Sequence, residues 1–233
     1  MHRAALSEGI TTHRLSMSNE SAPRSTARAN WLIPTALVLL ALVPVFAGMA
    51  RLTDLATSHA TVETARFHAM PLPVVLHILS ATWFAIVGAF QFTPTLRRTR
   101  WHKRSGRSIV PMGLITALSG LWMTLAYPWA NADGEAVYLA RLIFGSGMAL
   151  SLILGVTTVI KGNVLAHRVW MLRAYAIGMG AGTQVLTGMA GALILGKVNE
   201  FENALLMGAA WVINLAVAEW SIRKSSTRQT RTA

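Results

Sequence analysis

The sequence contains no cysteine. That excludes a disulfide scaffold, thiolate zinc and iron–sulfur centres, and covalently attached c-type haem. Charge is scarce as well: 13% of the 233 residues are Asp, Glu, Lys or Arg, about half the share found in an ordinary soluble domain. Acid is scarcer still, with 9 Asp and Glu against 21 Lys and Arg. No Gly-x-Ser-x-Gly elbow, phosphate-binding loop or His-Glu-x-x-His helix occurs, so these soluble hydrolase, nucleotidase and zincin signatures are missing. Gly145-Ser-Gly147 lies inside an apolar run and follows no strand, so it is not a dinucleotide-binding turn.

What the chain has is apolar length. Hydrophobic residues make up 53% of it and gather in runs at about 31–50, 71–96, 108–127, 137–160, 171–196 and 204–222. Each is near the length of about 20 residues that a hydrocarbon core of about 30 Å demands. The expected fold is therefore an all-α integral membrane bundle of about six transmembrane helices over residues 30–222. A polar, Arg- and Ser-rich tail (1–29) precedes it and is read as disordered, with Met17 a second candidate start of translation. A basic tail (223–233) follows. Pro44 is expected to kink the first helix.

The charges alternate from loop to loop. The N-terminal tail, the segments 97–107 and 161–173 and the C-terminal tail hold 17 of the 21 Lys and Arg, and the other side holds only Arg51, Arg66, Arg141 and Lys197. Asp54, Glu63, Asp133, Glu135, Glu200 and Glu202 fall on that second side. The positive-inside rule puts both termini in the cytoplasm, N-in and C-in, in the plasma (inner) membrane. The excess of base is then explained by the bilayer and its anionic lipid headgroups at the inner basic loops, each exposed charge adding about 1 kcal/mol of attraction, and not by nucleic acid. Possible protein partners are a second copy of the chain, as a homo-oligomer, or another membrane protein.

Small residues stripe the fifth run: Gly178, Gly180, Gly182, Thr183, Thr187, Gly188 and Gly191. Helices in lipid associate through close backbone approach, so this run is expected at the centre of the bundle, with Gly145 and Gly147 facing it. Gln91, Gln184 and Asn214 are candidates for interhelical hydrogen bonds.

Three histidines could carry chemistry. His77 lies about six residues inside the second helix, roughly 9 Å into the membrane at 1.5 Å per residue. An intramembrane imidazole is a functional candidate by default; the plain alternative is a neutral ring bonded to a neighbouring carbonyl or hydroxyl. His102 and His167 each sit in a basic inner segment beside another base (His102-Lys103-Arg104 and His167-Arg168) and are expected at one depth. There they could share a metal or a haem iron, organise the loops or bind lipid phosphate. His77 is too far above them to join the same centre. Met123 and Met189 are at the depth of His77, and His/Met ligation of haem exists. Glu219 is expected at the interface or paired with a base such as Arg223, and Arg141 to reach out from its helix end toward the headgroups.

The helix carrying Leu76-His77, the segment Trp101-His102-Lys103-Arg104-Ser105-Gly106-Arg107 and the segment His167-Arg168-Val169-Trp170-Met171-Leu172-Arg173-Ala174-Tyr175 resemble the DUF2306 family of bacterial polytopic membrane proteins. The resemblance spans about residues 70–195, and the third segment is its most specific part. The family's second motif reads His-Arg-x-x-Gly; here Lys103 takes the Arg place and Gly106 keeps the spacing. The resemblance implies a topology and no activity. Its His-bearing helices are loosely similar to those of membrane di-haem b-type cytochromes, although this sequence lacks their four intramembrane histidines. Two functions follow as expectations: a non-catalytic membrane protein that handles a small molecule or lipid or serves as an accessory subunit, or a haem b electron-transfer protein using His77, His102 and His167.

Overall fold

The computed structural model describes residues 25–57, 59–97, 99–130 and 133–230, and these are helical with no strands. Residues 1–24, most of the expected N-terminal tail, lie outside the described residues. In chain order the helices are α1 (Ser25–Thr57), α2 (Ala65–Ala69), α3 (Pro71–Phe90), α4 (Pro94–Arg97), α5 (Arg100–Ala126), α6 (Glu135–Ile160), α7 (Val164–Gly178), α8 (Gly180–Leu195) and α9 (Glu200–Thr230).

Five of these, α1, α3, α5, α6 and α9, are each long and apolar enough to cross a membrane. α7 and α8 pass the same test only together, as a pair bent by 42° at Met179, which makes six crossings if the pair is one span and five otherwise. The sequence reading gave one straight helix at 171–196. It had no proline to mark the break, only the glycines on either side of Met179. The break is held from outside. The Asn214 side chain on α9 donates to the Ala176 carbonyl at 3.1 Å and accepts from the Thr183 hydroxyl at 2.8 Å, so one residue ties both halves.

Helices also run past the apolar segments. α5 begins at Arg100 and α7 at Val164, so most of both expected basic loops is helix, and His102 and His167 are helical residues. The bilayer limits the length of an apolar run, not of a helix, and Arg and Lys are good helix formers. The Asn163 side chain caps α7 by accepting from the Ala166 amide at 3.0 Å. α1 likewise continues to Thr57, with Arg51 paired to Asp54 at 2.9 Å.

α3 packs on α5, α5 on α6 and α6 on α7, while α1 closes against α3 and α8, and α9 against α6, α7 and α8. Phe84, Met148, Leu152, Tyr175 and Ile177 form the centre. The glycines permit this. A Cβ on Gly178 would lie 2.7 Å from the Phe84 ring, one on Gly88 2.5 Å from the Tyr175 ring, and one on Gly182 2.5 Å from the Leu40 carbonyl of α1. Gly147 faces Ile177 of α7 as expected, whereas Gly145 faces Leu121 of α5. Outward, large apolar side chains such as Leu32, Phe46, Ile143 and Leu193 are exposed, as lipid contact requires. The end carrying Arg66, Asp133 and Glu200 is termed the outer end, after the charge distribution, and the opposite end the inner.

Candidate functional site

A cavity of about 350 Å³ runs from the outer end into the bundle. Its floor is built by Gly145 and Met148 of α6, Ile177 and Gly178 of α7 and Trp211 of α9. Three glycines, Gly120, Gly145 and Gly178, are in its wall, and a Cβ on them would meet His77, Leu121 and Phe84 respectively. The bend between α7 and α8 lies beside this floor, with Gly178 on one side of it and Ala181 and Gln184 on the other.

His77 lines the cavity from α3. Its Nδ1 lies 3.0 Å from the Thr116 carbonyl and 3.2 Å from the Ser119 hydroxyl, both on α5. A carbonyl oxygen only accepts, so Nδ1 carries the proton. The Ser119 hydroxyl is itself 2.6 Å from the Ile115 carbonyl, to which it donates, leaving its oxygen free to share the imidazole proton. The neutral ring therefore keeps a lone pair on Nε2. Behind it, the Thr116 hydroxyl is 2.9 Å from that of Ser80 and 2.8 Å from the Met112 carbonyl. Gly120 sits against the imidazole: a Cβ there would lie 3.3 Å from His77 Cε1. Tautomer and ring plane are thus fixed by the α3–α5 interface.

The mouth is polar and aromatic. Arg141 donates from both terminal nitrogens to Asp133, at 2.7 and 3.1 Å, so it forms a bidentate ion pair at the helix end. Arg66 donates to the Pro128 carbonyl at 3.0 Å and lies over the Phe67 ring at 4.8 Å or less, as does Arg51 from α1. Arg66 Nε is buried with no hydrogen-bond partner, and none of the ion pairs among the described residues involves Arg66. The Tyr127 hydroxyl donates to the Met70 carbonyl at 2.6 Å, and burial pushes its phenol above the ordinary tyrosine value. Arg66, Tyr127, Asp133 and the Ser119–Thr116 pair carry no local sequence signal; only their meeting in space makes them a site.

At the inner end, His102 and His167 come within range of each other's charge, and Arg97 and Arg168 join them. The His167 Nδ1 donates to the Gly155 carbonyl at 2.7 Å. The His102 Nδ1 and the Arg168 Nε are buried without partners. His77 belongs to neither histidine: it lies with the outer cavity. No group of three or more His, Asp or Glu among the described residues is arranged to hold a metal ion. Glu219 accepts from Arg173 on another helix at 2.6 Å, a base partner as expected, with Arg223 also within range of its charge.

The family model for DUF2306, described as a predicted membrane protein, matches residues 74–222. The chain belongs to this family. The match takes in His77, both basic segments and every lining residue of the cavity floor. No curated protein and no solved structure matches the chain. It is a multi-pass membrane protein in contact with the lipid bilayer.

Proposed function

We propose that this DUF2306 protein is a non-catalytic handler of a small amphipathic molecule, which it takes into the outer cavity from the outer side of the plasma membrane. Both termini would be cytoplasmic and the basic inner face would rest on anionic lipid headgroups. The observation that carries the reading is the cavity: about 350 Å³, within the range of ligand pockets. It is mostly apolar in depth, with an acceptor held in place at His77 Nε2, and with Arg66, which joins none of the ion pairs among the described residues, at its mouth. The chemistry suits an apolar body with an acidic or hydroxyl end. The absence of a charged side chain near His77 other than at the mouth disfavours proton-coupled transport through the core.

The test is a titration of the detergent-purified full chain with a medium-chain fatty acid, read by tryptophan fluorescence, since Trp129 and Trp211 line the cavity. Saturable binding is expected, weakened up to about tenfold by His77→Leu and by Arg66→Gln, the cost of a lost hydrogen bond or charge-assisted contact. Non-saturable partition, equal in the variants, would overturn the reading.

A second reading, a haem b protein, is favoured by one observation. A histidine whose Nδ1 is held by a carbonyl and whose Nε2 is free has the second-shell arrangement of metal-ligating imidazoles, and Met123 lines the same cavity. A reduced-minus-oxidised visible spectrum of protein produced with haem precursor separates the two: a haem band lost in His77→Ala would replace the first reading with this one.

A further inference from the structure

The inner cluster poses a problem of charge. Arg97 and Arg168 are permanent cations within range of each other's charge, and the His102 imidazole lies within range of Arg97 and of His167. The ion pairs among the described residues join Arg51 to Asp54, Arg141 to Asp133 and Arg173 to Glu219, so no carboxylate answers these four. Arg97 donates to the Phe92 carbonyl at 2.9 Å, and His167 to the Gly155 carbonyl, and those bonds do not neutralise charge. Arg168 Nε and His102 Nδ1 are buried and bond to nothing. An arginine N–H can only donate, so it needs an acceptor, and buried polar atoms in folded proteins nearly always have one.

We propose that Arg97, His102, His167 and Arg168 form a binding site for a phosphate-bearing anion at the inner end of the bundle, either a phospholipid headgroup or free phosphate. Planar guanidinium groups suit phosphate oxygens, and basic pockets between helix ends on the cytoplasmic side suit lipid headgroups. The two arginines also favour an anion over a metal cation at the histidine pair. The anion is not needed to cap α7, because the Asn163 side chain already accepts from its Ala166 amide; the unmet donor is the Arg168 side chain's Nε. The site rests on the proposed contact of the basic inner face with anionic lipid headgroups and narrows it to four residues, and it stands if the outer cavity proves empty.

The experiment uses the full chain, purified and stripped of lipid, with binding followed by native mass spectrometry and thermal unfolding. One arm adds phosphatidylglycerol in mixed micelles and the other inorganic phosphate. Specific binding in at least one arm is expected, about tenfold weaker in Arg168→Gln and in His102→Gln. Arg97 is exposed, so Arg97→Gln gives up only its bond to the Phe92 carbonyl and carries the test if the Arg168 variant fails to fold. The exposed control Lys103→Gln/Arg104→Gln should leave affinity nearly unchanged. Binding of phosphatidylglycerol alone assigns the site to lipid; binding of phosphate alone assigns it to the free ion. The proposal is overturned by no binding in either arm, by binding unchanged in the Arg97, His102 and Arg168 variants, or by an equal loss in the control, which would mark a diffuse basic surface.

Discussion

His77 shows how a single intramembrane residue can be both structural and available. One nitrogen joins α3 to α5 through Thr116 and Ser119, and the other is left over. The sequence put a histidine at this depth, but not the carbonyl that sets its tautomer, because backbone partners leave no trace in residue type. Tyr127, at the cavity mouth, is open to a direct measurement. Its neutral phenol donates to Met70, and burial raises its pKa above the ordinary 10.0. The stability tied to keeping this phenol neutral is fully present below pH 10.0 and is lost as pH rises through the elevated folded-state value. A tyrosinate absorbance titration of the native protein minus that of Tyr127→Phe should therefore show one group ionising above pH 10.0; ionisation at or below it would remove Tyr127 from its buried setting.

Among the elements, α8 is tightly held at one point and open at another. Gly182 meets the Leu40 carbonyl of α1, where a Cβ would come within 2.5 Å of backbone that cannot rotate away. Gly182→Ala is expected to destabilise by about 1–3 kcal/mol, the usual cost of overpacking, seen as a lowered thermal midpoint in detergent. Gly188 lies in the same helix with nothing within 4 Å of its Cβ. Gly188→Ala should be neutral, or stabilising by up to about 1 kcal/mol. Equal effects at both positions would mean that the glycines serve the helix itself and not its contact. The glycine stripe marked this helix for close packing from the sequence alone. The bend at Met179 was not legible, since the residue that holds it, Asn214, stands on another helix.

For the whole molecule, the six apolar runs were readable because the bilayer imposes a length on them. The ends of the helices were not, because α5 and α7 continue into basic sequence that helix propensity tolerates. The cavity was not legible either: its mouth draws on α2, the 127–130 segment and Asp133, brought together only by the bundle. Orientation is directly testable, and the lack of native cysteine makes the test clean. Val62 is 99% exposed in the outer loop, and Arg104 is exposed at the inner end. In intact cells, Val62→Cys should react with a membrane-impermeant maleimide and Arg104→Cys only after lysis. The opposite pattern would invert the molecule and place the cavity on the cytoplasmic side.

The proton on His77 Nδ1 is committed to the Thr116 carbonyl, and this gives the depth of the cavity a polarity of its own. A guest that arrives with a hydroxyl or a protonated acid meets a waiting lone pair. A ketone, an ether or a methyl ester of the same shape meets lone pair against lone pair. If the cavity takes a guest as proposed, His77 would favour, among molecules of equal size and greasiness, those that bring a hydrogen to give.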